Sequence, residues 1–136
     1  METDSELTLN QLISRIKVMY LAVFANGKFN ENQKTALNDE FEKLGLQDDA
    51  RFVSRKLAQR QRAELESNFH EALDHIFFSL ERCAVDLEFS HQLLELYLTI
   101  AESDGVVTDA EEVLAKELAD VLNLDIEYYL VHMRTD

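Results

Sequence analysis

The sequence contains no proline, no tryptophan, one cysteine and only three glycines in 136 residues. A β-rich chain of this length needs more turn residues, whereas helices need few and are capped by Asn, Asp, Ser and Thr. The single cysteine, Cys83, excludes an intrachain disulfide and a thiolate metal cluster. The sequence therefore predicts an all-α protein.

Long apolar runs are also absent. The longest, residues 18–25, is far shorter than the ~20 residues that span a bilayer. Three of the first six residues are acidic, which is unlike the basic start of a secretory signal. These features predict a soluble, cytoplasmic protein with no membrane insertion.

Basic charge is scarce and unevenly distributed. Residues 1–63 contain ten Lys and Arg against nine Asp and Glu, whereas residues 64–136 contain three against eighteen. The second half, with a charge of −15, repels nucleic acid and anionic membranes and attracts basic protein surfaces. We therefore predict a protein partner and no nucleic-acid partner. A homodimer is also compatible with the many aromatic residues of this half, which include Phe77, Phe78, Phe89, Tyr128 and Tyr129.

Apolar residues recur at helical spacing along most of the chain, and no stretch alternates long enough to predict a strand. Capping residues and glycines divide this pattern into about seven helices, which we expect to form one compact bundle in a single domain of residues 1–136. The predicted helices are a first one after Ser5 or Thr8 that reaches Ala25, then residues 31–44, a short segment after Asp48 or Asp49, 63 to about 84, 87–101, 109–122 and a last segment after Asp125.

Two helix–turn–helix hairpins, at about residues 9–46 and 87–124, follow one pattern at an offset of 78. Asn26-Gly27 and Asp104-Gly105 each end a helix, and an apolar residue follows two positions after the glycine. Only three of 29 aligned positions are identical, so duplication and the chance similarity of two capped hairpins remain equal alternatives. Each hairpin also has a predicted capping box, Asn30 with Gln33 and Thr108 with Glu111.

Acidic side chains cluster around the second turn. Five carboxylates lie within eleven residues, namely Glu102, Asp104, Asp109, Glu111 and Glu112. Because hard cations prefer oxygen ligands, one interpretation is a divalent-metal site. The favoured alternative is that these residues cap the next helix and face solvent. A calcium loop of the EF-hand type is not indicated, because Ile100 stands at its first ligand position.

One segment of the chain is basic and contains no acid between Ala50 and Arg62. Its cations are Arg51, Arg55, Lys56, Arg60 and Arg62. Such a segment can bind an anion or an acidic partner. The alternative is a solvated face or a face that packs against the acidic half of the same chain.

Catalytic motifs are not evident. Glu88 and His91 have the spacing of half a di-iron site, but the sequence has no second Glu-x-x-His. There is no glycine-rich phosphate loop, and no histidine has a catalytic partner in the sequence. We therefore predict a protein that is not an enzyme, with no cofactor apart from the divalent cation considered above.

The sequence reads YLTIAESDGVVTDAEE at residues 97–112 and Leu-Asn-Leu at residues 122–124. Together these two stretches resemble the TerB-like helical domains of the tellurite-resistance TerB and DjlA N-terminal type. The family signature is an apolar helix ending in Ala-x-x-Asp-Gly, an apolar residue, a cap and glutamates, and an amphipathic helix ending near Leu-x-Leu. The resemblance implies paired helical hairpins and a non-enzymatic bacterial role in stress or tellurite and metal tolerance, through partner or divalent-metal binding. Asn26 and Gln33 depart from the acids expected in the first hairpin.

Overall fold

A computed structural model describes residues 8–129, and all regular structure in that range is helical. The predicted all-α bundle is confirmed. It contains six α-helices, two 3₁₀ turns and a helical turn at residues 126–129. The helices are α1 (Leu9–Val23), α2 (Lys34–Lys43), α3 (Asp48–Ser67), α4 (Phe69–Leu80), α5 (Leu87–Ala101) and α6 (Asp109–Val121), with 3₁₀ turns at Glu31–Gln33 and Glu81–Val85. None of the described helices is both long and apolar enough to cross a membrane.

Helix α1 lies at the centre of the core. It contacts α3, α4 and α5, and every residue from Val18 to Ala25 is buried. This segment has no polar position, so it has no face that prefers water and becomes surrounded by other helices. The start of α1 is capped by Thr8, whose side chain accepts from the Gln11 amide at 3.1 Å.

The middle of the chain differs from the prediction. A short third helix and a fourth over residues 63–84 were expected, but α3 is continuous from Asp48 to Ser67 and α4 ends at Leu80. The buried stripe of α3 contains Ser54 and Gln61, and these polar residues hide the helical period in the sequence. The break falls at Asn68, whose side-chain oxygen accepts from the Glu71 amide at 3.3 Å and caps α4.

The two hairpins have the same local geometry at an offset of 78 residues. Gly27 and Gly105 have φ values of 94° and 87°, and Gly45 and Asn123 have φ values of 60° and 61°. Asn123 is the single non-glycine with positive φ between residues 8 and 129. Gly45 and Asn123 directly follow the C-caps of α2 and α6, whereas Gly27 and Gly105 lie in the turns four residues after the ends of α1 and α5. Since the left-handed region excludes most side chains, each pair shares its backbone conformation despite the low sequence identity.

The two turns lie against each other. The Thr108 hydroxyl donates to the Asn26 side-chain oxygen at 2.8 Å, which joins the second turn to the first. Thr108 and Glu111 form the predicted capping box, with both reciprocal hydrogen bonds present. The predicted box of Asn30 and Gln33 is wrong, because the Gln33 side chain points away from Asn30 and into the core.

The inward position of Gln33 has a physical reason. Its amide nitrogen donates to the Glu111 carboxylate at 2.7 Å and to the Ala101 carbonyl oxygen at 3.2 Å. The Ala101 carbonyl ends α5, where the last carbonyls of a helix have no partner within the helix. A side chain of the first hairpin therefore completes the helix end of the second hairpin.

Candidate functional site

The basic segment lies entirely on α3, and the helix divides it between two faces. Arg51, Arg55 and Arg62 are spaced four and seven residues apart, so they project from one side, next to the buried stripe of α3. Lys56 and Arg60 project from the opposite side and are exposed. The predicted five-residue site is therefore not one cluster, and the three arginines form the part that faces a neighbouring helix.

A cleft of about 500 Å³ opens between α2 and α3 beside these arginines. Clefts of roughly 300–1,000 Å³ are typical of sites that hold a small ligand or an anchoring side chain. Apolar groups from Phe41 and Ala58 line this cleft together with polar ones. The other lining residues are Tyr20, Asn38, Glu42, Gly45, Leu46, Arg51, Ser54 and Arg55.

The two arginines that line the cleft have different electrostatic partners. Arg51 lies 3.4 Å from the Glu42 carboxylate, and both side chains are at least half exposed. An exposed pair of this kind contributes ~0–1 kcal/mol, so it can exchange with a ligand. Arg55 has no ion pair or hydrogen bond within residues 8–129, which leaves its guanidinium available.

The third arginine of this face is held in place. The Arg62 guanidinium lies 4.1 Å from the centre of the Phe29 ring, and its Nε donates to Glu66 at 3.1 Å. Phe29 in turn packs edge-on against Phe24, with the ring centres 5.8 Å apart. Arg62 thus packs on an aromatic ring and does not line the cleft, but its positive charge acts on Tyr20, which does.

Tyr20 brings a phenol from α1 to the cleft. Burial raises the pKa of Tyr20, an effect that the positive charge of Arg62 opposes. The phenol stays protonated at neutral pH and is a hydrogen-bond donor to an anion. Together with the Asn38 amide and the Arg55 guanidinium, it gives the cleft three kinds of donor from three helices.

The five carboxylates predicted as metal ligands do not converge. Asp104 accepts from the Val106 amide within its turn, and Glu112 lies 3.5 Å from Lys116 on the next turn of α6. Glu102 caps the end of α5, and Asp109 begins α6. In the described part of the chain, no three His, Cys, Asp or Glu side chains are arranged to hold a metal ion.

Glu111 has a structural role. It is buried at 1% exposure, and its two oxygens accept from the Thr108 amide at 2.8 Å and from Gln33 at 2.7 Å. The Tyr97 phenol also donates to its backbone carbonyl at 2.6 Å. A cation would have to displace these bonds inside the core, so Glu111 does not fit a metal ligand.

Sequence reasoning missed two groups of residues that surround cavities. Tyr20 of the cleft lies on α1, and Asn38 and Phe41 lie on α2, so helix packing and not a local pattern joins them to the basic segment on α3. The second group includes His91, which contacts Glu95 and Tyr129. The i, i+4 spacing of His91 and Glu95 was visible in the sequence, but the contact with Tyr129, 38 residues away, was not.

Comparison with known proteins gave no family model, curated protein or solved structure that matches this chain. The resemblance of residues 97–124 to the TerB-like signature therefore stays a prediction. The features of this chain that bear on function are therefore the geometry of the cleft between α2 and α3 and the charges that surround it.

Proposed function

We propose that this chain is a protein-interaction module that binds an acidic segment of a partner protein in the cleft between α2 and α3. The observation that carries the proposal is the guanidinium of Arg55, which has no ion pair or hydrogen bond among residues 8–129 and lines a cleft with apolar groups. An arginine can bind a carboxylate through two parallel hydrogen bonds, which gives both affinity and orientation. Phe41 and Ala58 offer the contact surface for an apolar side chain next to that carboxylate.

The distribution of charge on the chain favours an acidic segment as the ligand of this cleft. Within a chain of net charge −14, the cleft is bordered by residues 51–62, whose five cations are the largest set in the sequence that no acid interrupts. The rest of the surface repels acidic chains, so an acidic segment is directed to this face. The exposed pair of Arg51 with Glu42 lets the partner carboxylate replace Glu42 at little cost.

The TerB-like resemblance is in keeping with this role, since it implies partner binding without catalysis in a bacterial stress or tellurite-tolerance context. We propose no catalytic activity for the cleft, because the Ser54 hydroxyl in its lining donates to the Arg51 carbonyl at 2.9 Å and has no base as a partner among the described residues. The single carboxylate of the cleft, Glu42, pairs with Arg51.

The test begins with a selection from a library of displayed peptides, which supplies a defined ligand. The selected peptide is then titrated into the wild type, Arg55→Glu and Arg60→Glu. Both variants make the same charge change on an exposed arginine of α3, but Arg60 lies on the face away from the cleft. Because a hydrogen bond to a charged group contributes about 1.5–3 kcal/mol, Arg55→Glu should weaken binding at least ~10-fold.

Two outcomes would contradict the proposal. One is equal weakening by Arg55→Glu and Arg60→Glu, which would indicate unspecific attraction between opposite charges. The other is a selection that recovers no acidic peptide. Arg60→Glu should change the affinity no more than about threefold, as expected for a charge at the periphery of a binding site.

A further inference from the structure

A second cavity, of about 460 Å³, lies between α5 and the helical turn of residues 126–129. It shares no lining residue with the cleft between α2 and α3. The α5 residues that line this cavity recur about every three or four positions, which places their side chains on one face of the helix. The polar and aromatic residues that line it are His91, Glu95, Thr99, Glu102, Tyr128 and Tyr129.

His91 connects the two walls of this cavity. Its Nε2 lies 3.1 Å from the Glu95 carboxylate, and its Nδ1 lies 2.5 Å from the Tyr129 hydroxyl. The His91 and Tyr129 rings are also in contact, with their centres 5.3 Å apart. The orientation of Tyr129 is therefore fixed by a hydrogen bond and by ring packing.

The two tyrosines form a corner. Their ring centres are 5.4 Å apart and their planes are inclined by 87°, with Tyr128 58% exposed and Tyr129 buried at 9% exposure. Burial, together with the Glu95 carboxylate, raises the pKa of Tyr129, which keeps the phenol neutral over the physiological range. An exposed aromatic ring beside a carboxylate, as for Tyr128 and Glu95, is an arrangement that binds an organic cation.

The charge around the cavity favours the same kind of ligand. Residues 64–136 carry a charge of −15, and neither Arg82 nor Lys116 lines this cavity. Arg82 lines a different cleft, and Lys116 pairs with Glu112. Glu95 pairs with His91, an exposed contact that a stronger cation can replace, because His91 is itself charged only when protonated.

We propose that this cavity binds an organic cation, an ammonium or guanidinium group held by the Glu95 carboxylate and the faces of Tyr128 and Tyr129. A bare metal ion fits less well, because the described residues offer no group of three His, Cys, Asp or Glu ligands. The cation can come from a free amine or from a lysine or arginine side chain of another protein. The chemistry that recognises it is the same in both cases.

The experiment is a titration followed by NMR, with four probes: spermidine, free arginine amide, and acetylated short peptides that contain one lysine or one arginine. We expect saturable shifts of the α5 signals around Glu95 and of Tyr128 with at least one probe. Saturation by the free amines indicates a small-molecule ligand, and saturation by the peptides alone indicates a protein ligand. Absence of saturation by all four probes at 10 mM, on the order of the weakest specific affinities, would overturn the proposal.

Variants test whether the cavity itself is responsible. Glu95→Gln and Tyr128→Leu change exposed side chains, so both should fold as the wild type does in a thermal denaturation. Glu95→Gln should weaken binding ~10-fold and Tyr128→Leu ~3-fold or more, whereas Glu117→Gln, which removes the same charge on α6, should have less than a ~2-fold effect. Equal weakening by Glu95→Gln and Glu117→Gln would show that binding depends on the overall negative charge of residues 64–136 and not on this cavity. That result would overturn the proposal.

Discussion

Gln33 donates its side-chain amide to the Glu111 carboxylate at 2.7 Å, and the two residues occupy equivalent positions of the two hairpins, 78 residues apart. Both side chains are buried, at 0% and 1% exposure. The contact therefore joins the hairpins at the point where their common pattern coincides. The side-chain oxygen of Gln33 has no hydrogen-bond partner among residues 8–129, so within that range the side-chain nitrogen makes all the hydrogen bonds of this side chain.

The first prediction concerns this pair. Gln33→Glu places a second carboxylate against Glu111 in the core, and we expect it to lower the free energy of unfolding by about 3–5 kcal/mol, as for an uncompensated buried charge. The exchanged double variant, Gln33→Glu with Glu111→Gln, restores one amide and one carboxylate and should regain most of that loss. Urea denaturation of the three proteins measures both effects. A double variant no more stable than Gln33→Glu would show that the pair does not join the hairpins.

This pair also shows what the sequence could and could not predict. The glycines, the Thr108 cap and the apolar run of α1 are local features, and the helices that depend on them were predicted. Gln33 was predicted as part of a capping box because spacing alone cannot distinguish a side chain that returns to its own helix from one that crosses to another. The contact with Glu111 depends on how the hairpins pack, which no local pattern contains.

The same limitation applies to α3 and to the cleft. The length of α3 was missed because Ser54 and Gln61 are polar residues in its buried stripe, where only the packing against neighbouring helices makes them core positions. The cations of α3 were identified from the sequence, but not their division between two faces. That division requires the helix to be continuous from Asp48 to Ser67, which the predicted break had concealed.

The second prediction concerns Tyr97 at alkaline pH. Burial raises the pKa of Tyr97 above its ordinary value of 10.0, and the Glu111 carboxylate acts in the same direction. The unfolded state ionises first, so the stability contributed by the neutral phenol is complete below pH 10 and is lost as the pH rises above it. Tyr97→Phe lacks this titration.

The measurement for Tyr97 is urea denaturation at pH 7, 10 and 11. At pH 7 we expect Tyr97→Phe to be about 1–3 kcal/mol less stable, because the Glu111 carbonyl loses its donor. Between pH 10 and 11 the difference should shrink by about 1 kcal/mol, since each pH unit is worth 1.36 kcal/mol per fully titrating group. A constant difference across this range would contradict the raised pKa.

The third prediction compares Gly45 with its counterpart Asn123. A Cβ at Gly45 meets no atom within 4 Å, so the effect of substitution there comes from the backbone alone, which has φ of 60°. Gly45→Ala should cost about 1–2 kcal/mol, and Gly45→Asn clearly less, because Asn tolerates the left-handed region. Thermal denaturation measures the stability of both variants. Equal losses of stability would show that the left-handed backbone conformation does not determine which residue is tolerated at position 45.

The fourth prediction tests the break between α3 and α4. Asn68 caps α4 and also donates its amide to the Glu71 carboxylate at 3.0 Å. Asn68→Ala should cost about 1 kcal/mol, the usual value for loss of an N-cap. The control is Ser67→Ala, one residue away on an exposed position, where we expect less than about 0.5 kcal/mol. Chemical denaturation measures the loss of stability in both variants. Similar losses would show that the Asn68 cap has no role at the break between α3 and α4.

The central claim is that an acidic segment occupies the cleft between α2 and α3. The most direct measurement is a ¹⁵N NMR titration of the wild type with the selected acidic peptide, in which each backbone amide reports its own neighbourhood. We predict that the largest shifts fall on Asn38, Phe41, Gly45 and Ser54, which surround Arg55 on both walls of the cleft. Shifts concentrated instead around Lys56 and Arg60, on the outer face of α3, would contradict the account.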